Sequence, residues 1–154
     1  MDYLIRKVAD HEINEAFSLI WRTFSEFIAP DYTKEAVNNF KKNFIDNINY
    51  RENFIQGKEV MYGAYIKEQL VGVLSVRDTD FISCAFVDKK YHRRGIAGKL
   101  FNHVIPILKE NSVKKIRLNS SPYAVPFYHS MGFKNLGKEQ VYQGILFTPM
   151  ELIL

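Results

Sequence analysis

"YHRRGIAGKL", residues Tyr91 to Leu100, places a cluster of cations and a glycine where a helix should begin. Downstream, Ile96, Leu100, Val104 and Leu108 fall on one helical stripe, with Ala97, Phe101 and Ile105 beside it. A helix N-terminus exposes unpaired backbone N–H groups and carries partial positive charge, so Lys89, Lys90, Arg93 and Arg94 sit at the end that repels them. A merely solvated face would not concentrate cations there, and the stretch therefore asks for an anion. The apolar run just before it, "FISCAFV" (81–87), reads as a strand. Strand, basic glycine-containing turn and amphipathic helix in succession form a cradle for phosphate, with convergent N–H groups and a favourable dipole. Gly95 lets the backbone turn closely around an oxygen, and small Ala97 and Gly98 leave room for it.

Spacing narrows the phosphate chemistry. G-x-x-x-x-G-K-[ST] is absent and no G-x-G-x-x-G follows the first strand, which counts against a nucleotide hydrolase and a standard dinucleotide-binding enzyme. Working outward, "VMYGAYI", "LVGVLSV" and "FISCAFV" are apolar runs separated by the short polar turns "KEQ" and "RDTD", and they predict an antiparallel meander. Upstream, "DYLIRKV" reads as a short strand. Asp10 is placed to cap a helix with Ile13, Ala16, Phe17, Ile20, Trp21, Phe24 and Ile28 at helical spacing, ended by Pro30. Thr33 caps a second helix carrying Val37, Phe40, Phe44 and Ile48, and "NYRENFIQGKE" reads as a loop. Downstream, Pro106 is expected to kink the long helix near its end, and "KIRLN" is a brief strand. Ser121 and Pro122 open a small helix with Ala124, Phe127, Tyr128 and Met131 on one face, terminated by Gly132. "FKNLGKEQ" and "VYQGILFTPMELIL" supply two further strands.

The chain has 154 residues, 47% hydrophobic and 25% charged, which fits one globular domain spanning 1–154 with a single core. No apolar run approaches the roughly 18 residues of a membrane span, so no membrane partner is expected. The single cysteine, Cys84, excludes an intramolecular disulfide framework, and a reducing, cytoplasmic location is expected. The net charge of +4 favours anionic partners only in general. Nucleic-acid binding would call for aromatics interleaved on a basic sheet or a recognition helix, and neither is visible. His11, His103, His129 and Cys84 show no metal-ligand spacing, so no metal is expected. Oligomeric state stays open between monomer and homodimer.

His92 to Ala97, H-R-R-G-I-A, resembles the Q/R-x-x-G-x-G/A pyrophosphate motif of the GNAT superfamily of acyl-CoA-dependent N-acetyltransferases. Gly95 and Ala97 match, and His92 departs at the first position. "SSPYAVPFYHSMGF" resembles that family's later signature, with Tyr128, Gly132 and Phe133 matching Y-x-x-x-G-F. The resemblance implies an α/β (α+β) fold, a mixed, mostly antiparallel twisted sheet of about seven strands flanked by about four helices. It implies acetyl-CoA as co-substrate and a primary amine as acceptor, joined in a ternary complex by direct attack. On it, the cofactor-binding residues are backbone groups of Ala85, Phe86 and Val87 for pantetheine, His92, Arg93, Arg94, Gly95, Ile96, Ala97, Gly98 and Lys99 for pyrophosphate, and the side chain of Asn119 or Ser121 for a pantetheine amide. Tyr128 is the implied general acid, against its reading as a core aromatic on an apolar helix face. The acceptor is placed near Phe27, Asp31 and Tyr32, partly because "FSEFIAPDYT" mixes aromatic and acidic residues. Asp80, Glu26 and Asp31 are candidate bases, though each reads first as an ordinary surface carboxylate, and Cys84 reads as a small core residue. The alternative function is a GNAT-like module that senses acyl-CoA without turnover.

Overall fold

The computed structural model describes residues 2–154. The meander forms as expected: β1 (Leu4–Lys7), β2 (Glu59–Ile66), β3 (Gln69–Arg77) and β4 (Phe81–Val87) pair antiparallel in that order. β4 then meets β5 (Lys115–Ser120) in parallel, and β5 pairs antiparallel with β8 (Ile145–Ile153), which also takes the short β6 (Lys134–Asn135) and β7 (Gln140–Tyr142). The path β1-β2-β3-β4-β5-β8-β6 with β7 on β8 makes one mostly antiparallel sheet.

Helices cover both faces, which is why β3 is apolar without alternation and buried along its interior. On one face α4 (Ile96–Glu110) and α5 (Val125–Ser130) bury Ile96, Leu100, Phe101, Val104 and Tyr128 against Leu74, Ile82 and Leu118. On the other, α1 (Ile13–Phe27), α2 (Lys34–Phe40) and α3 (Ile48–Ile55) bring Phe17, Ile20 and Phe54 onto Met61, Val73 and Cys84. No helix of the described residues is long and apolar enough to cross a membrane.

Several local expectations change. α3 occupies the stretch read as a loop. Its Asn47 side chain accepts from Tyr50 N–H at 3.1 Å, and Tyr50 and Phe54 pack edge-on against Phe17, but so few apolar positions hid the helix. "VYQGILFTPMELIL" divides into β7 and β8, because Gln143 and Gly144 both take positive φ (52° and 82°) and form a two-residue hairpin turn. The sheet thus has one strand, and the helical layers one helix, beyond the expected number. Asp10 does not cap α1. A 3₁₀ turn (Asp10–Glu12) precedes the helix, and the Glu12 carboxylate accepts from Ala9 N–H at 3.0 Å. Thr33 does cap α2, accepting from Ala36 N–H at 3.1 Å. α4 runs through Pro106 to Glu110.

Candidate active site

β4 and β5 pair only through Phe81 with Arg117 and Ile82 with Leu118, then separate. The split opens a cavity of about 1090 Å³ that reaches from the start of α4 to the α1–α2 junction and the β7–β8 hairpin.

At one end lies the basic turn. Arg93 and Gly95 both take left-handed backbone, φ 62° and 77°, and α4 starts immediately after. Its first helical bond runs from Lys99 N–H to Gly95 carbonyl at 3.0 Å, so the N–H groups of Ile96, Ala97 and Gly98 precede it and point out of the helix end. A β-carbon at Gly95 or Gly98 would meet no atom within 4 Å. Open space beside three orphan donors fits a pyrophosphate, and it is space that a side chain would fill. Arg93, Gly95, Ile96, Ala97 and Gly98 line the cavity, whereas Arg94 and Lys99 do not. Lys99 N–H is already bonded within the helix, its ammonium lies 5.3 Å from the Tyr3 ring, and the Arg94 guanidinium lies over Tyr91.

His92 turns back to β4. Its Nε2 meets the Val87 carbonyl at 2.6 Å, and because a carbonyl only accepts, Nε2 carries the proton. The ring packs 4.6 Å from Phe27. On β4, Asp88 N–H bonds Val71 carbonyl at 2.8 Å and the register continues as Gly72–Val87, Val73–Phe86 and Leu74–Ala85. Antiparallel alternation then turns the backbone groups of Phe86 toward β3 and those of Ala85 and Val87 toward the open split. Phe86 thus departs from the expectation that three consecutive residues present backbone there, and Val87 offers its N–H, since His92 takes its carbonyl. Asn119 and Ser121 face the same cavity from beyond β4.

Tyr128 lies on α5 with its ring against Phe101 and Phe133, at 5.8 and 5.5 Å. It is both a core aromatic and a cavity residue, 7% exposed. Its hydroxyl makes no hydrogen bond to another described residue and is not among the sealed, unpartnered polar atoms, so it opens on the cavity. Burial, then nearby Cys84, raises its pKa well above the ordinary phenol range, keeping the proton in place.

The far end is aromatic. Phe24, Phe27, Tyr32, Phe40 and Phe44 line it, Phe24 and Phe40 stacking at 3.8 Å, and Tyr32 donates to the Leu146 carbonyl at 2.8 Å. Asp31 is exposed and lies off the cavity, so the expected acidic contribution is missing. Among the described residues that line the cavity there is no aspartate or glutamate. The other carboxylates considered as bases are in surface ion pairs, Asp80 with Arg117 at 3.3 Å and Glu26 with Lys89. Cys84 is buried, and burial pushes its thiol up to about 12.

Sequence reasoning missed one cluster. The register slips between Ser75 and Val76, which face Cys84 and Ile82, so Ser83 is the extra residue of a bulge. Ser83 lines the cavity, and its hydroxyl meets Ser75 Oγ at 2.6 Å and donates to Glu59 Oε2 at 3.0 Å. Glu59 is 2% exposed. Extending the period-two pattern of β2 back from Met61 puts Glu59 on the same buried face, a signal concealed by reading "QGKE" as loop. Among the described residues, no three His, Cys, Asp or Glu side chains lie together as a metal-binding group.

The comparisons with known proteins agree with this fold. A family model described as acetyltransferase (GNAT) domain matches residues 28–154, a span that includes the cradle, the split and Tyr128. The uncharacterized N-acetyltransferase YafP of Escherichia coli K12 is 26% identical over 137 residues, covering 89% of this chain and 85% of that protein. The PaiA N-acetyltransferase of Thermoplasma acidophilum, solved in complex with coenzyme A, superposes with a TM-score of 0.83 at 16% identity over 100% of both chains. A GCN5-related N-acetyltransferase of Rhodopseudomonas palustris gives 0.85 at 16% identity over 100% of this chain and 97% of its own. The chain belongs to the GNAT acetyltransferase family and is an acetyl-transferring enzyme.

Proposed function

We propose that the enzyme transfers acetyl from acetyl-CoA to a primary amine carried on an apolar or aromatic body, by direct attack in a ternary complex. The observation that carries this reading is a single cavity joining an anion cradle, the free hydroxyl of Tyr128 and an aromatic chamber without carboxylates. When bound, acetyl-CoA supplies a thioester-linked acyl group. The N–H groups of Ile96, Ala97 and Gly98, with Arg93 beside them, hold its pyrophosphate. Ala85 and Val87 present backbone groups to pantetheine, and Asn119 or Ser121 takes one of its amides. His92 fixes the Val87 carbonyl and so the edge of β4 on which pantetheine lies.

Tyr128 donates its hydroxyl proton to the departing sulfur, and its raised pKa means that the hydroxyl is protonated at neutral pH. Phe27 and Tyr32 stand on the acceptor side. Binding a polycation there would bury charge without a partner, which is costly, whereas an aromatic amine buries apolar surface and meets Asn39, Asn43 and Gln143 with its polar groups. Thiol release from acetyl-CoA, followed across a panel of primary amines, tests this. Turnover of 2-phenylethylamine at a lower KM than spermidine is expected, and no release with any primary amine would overturn the reading.

A further inference from the structure

We propose that Glu59 receives the proton that the acceptor nitrogen loses, relayed through the hydroxyl of Ser83. This rests on the reading of the cavity as an amine acetylation site and adds a base to it. Glu59 is buried at the first residue of β2 and has no ion-pair partner among the described residues. A buried carboxylate is held by its hydrogen bonds, and here two hydroxyls donate to the same oxygen, Tyr50 at 2.9 Å and Ser83 at 3.0 Å.

Hydrogen accounting fixes the direction of the relay. A carboxylate only accepts, so the one hydrogen of Ser83 goes to Glu59. Ser75 must then donate to Ser83 across their 2.6 Å contact, and Cys84, held as a thiol, can donate to Ser75 at 3.0 Å. Every hydrogen in the chain points toward Glu59. Ser83 Oγ has two lone pairs, of which Ser75 takes one, leaving the other free on a residue that lines the cavity.

An acceptor N–H can use that lone pair. As the nitrogen forms its bond to the acyl carbon, the N–H proton passes to Ser83 Oγ while the hydrogen of Ser83 passes to Glu59 Oε2. Ser83 ends neutral and unchanged, and Glu59 ends as the acid. With Tyr128 protonating the sulfur, the net transfer is one proton from nitrogen to thiol, and Glu59 and Tyr128 re-equilibrate with water after product leaves. The bulge explains why Ser83 can serve both sides, since a regular strand would not leave it unpaired opposite Ser75.

Glu59 acts through another group and is a relay residue, so the test must separate chemistry from packing. Glu59→Gln keeps the shape and an accepting oxygen for Tyr50 and Ser83 but cannot take a proton in their place. With 2-phenylethylamine as probe amine, or the panel amine turned over fastest, its kcat should fall on the order of a hundredfold. Its KM for acetyl-CoA and its unfolding midpoint should stay near those of the wild type. Ser83→Ala should fall comparably, Ser83→Thr should restore most of the loss, and the Glu59→Gln/Ser83→Ala double variant should fall no further than the worse single one. Unchanged kcat in Glu59→Gln, a loss that follows the unfolding midpoint, or multiplicative losses in the double variant would each overturn the relay. A wild type inactive on every amine would overturn the parent reading instead.

Discussion

The two ends of the cavity are built differently. The cradle end uses backbone, the N–H groups of Ile96, Ala97 and Gly98 after a left-handed Gly95, whereas the acceptor end uses side chains from α1, α2, β4 and the β7–β8 hairpin. A backbone site needs particular residues only where the chain turns sharply, so it leaves a compact mark in sequence. A side-chain site assembled from distant segments leaves none. The cradle is correspondingly rigid in its requirements, and the acceptor end is free to vary.

The largest expected effect is therefore at Gly95. Holding a β-branched residue at φ 77° costs about 1–2 kcal/mol, and losing a charge-assisted hydrogen bond to the occluded pyrophosphate costs about 1.5–3 more. Gly95→Val should weaken CoA binding, measured by calorimetry, by roughly a hundredfold or more. Its far-ultraviolet circular dichroism should be unchanged, because the added β-carbon meets no neighbour within 4 Å. Unchanged affinity would remove the distinction between the two ends.

Next comes Tyr128, which joins them. Tyr128→Phe keeps the ring contacts with Phe101 and Phe133 and should lower kcat by about ten- to a thousandfold with little change in CoA affinity. A free phenol would lose its proton near pH 10, but burial raises that point here. Wild-type turnover should thus show no fall from Tyr128 ionisation up to about pH 10, and a fall there that the variant lacks would mean the hydroxyl is solvated rather than buried.

The sheet meander, α4 and the cradle were legible because each announces itself locally: apolar runs "VMYGAYI", "LVGVLSV" and "FISCAFV", the stripe from Ile96 to Leu108, and the cations before it. α3 was not, since of its apolar residues only Tyr50 and Phe54 face inward, where they pack on Phe17, while Ile48 and Ile55 are exposed. The acceptor end was legible only as Phe27 and Tyr32. Asp31 looked equally suitable in sequence, but it ends a 3₁₀ turn and is exposed, whereas Tyr32, in extended backbone one residue on, lines the cavity. The Ser83 bulge lies beyond local pattern, because it depends on the register between two strands.

Smaller effects are expected at the acceptor end, where no single residue dominates. Tyr32→Phe removes one hydrogen bond, to Leu146, worth about 1 kcal/mol, and should raise the amine KM about fivefold at unchanged acetyl-CoA KM. Phe27→Ala should act on both substrates, because its ring also backs His92, which holds Val87. Asp31→Asn should change neither constant, and a change in the amine KM would return an acidic residue to the acceptor end.

The smallest effect on catalysis is expected at Glu12, outside both ends. Its carboxylate accepts from Arg6 Nη1 and Nη2 at 2.8 and 3.1 Å, from Ala9 N–H and from Tyr65 hydroxyl. Arg6 above all holds it at about 2, below the ordinary 4.5. A depressed carboxylate stabilises the fold above its unfolded value and loses that contribution as pH falls toward its folded one. Glu12→Gln should therefore lower the unfolding midpoint at pH 7 by a few degrees, for about 1–2 kcal/mol. The gap to wild type should close as pH falls from about 4.5 toward 2. Because this cluster ties β1 and α1 together away from the split, kcat and both KM values should stay at wild-type levels. A fall in kcat with the fold intact at 25 °C would show that β1 transmits to the cavity, and the two ends could not then be treated as independent of the sheet edge.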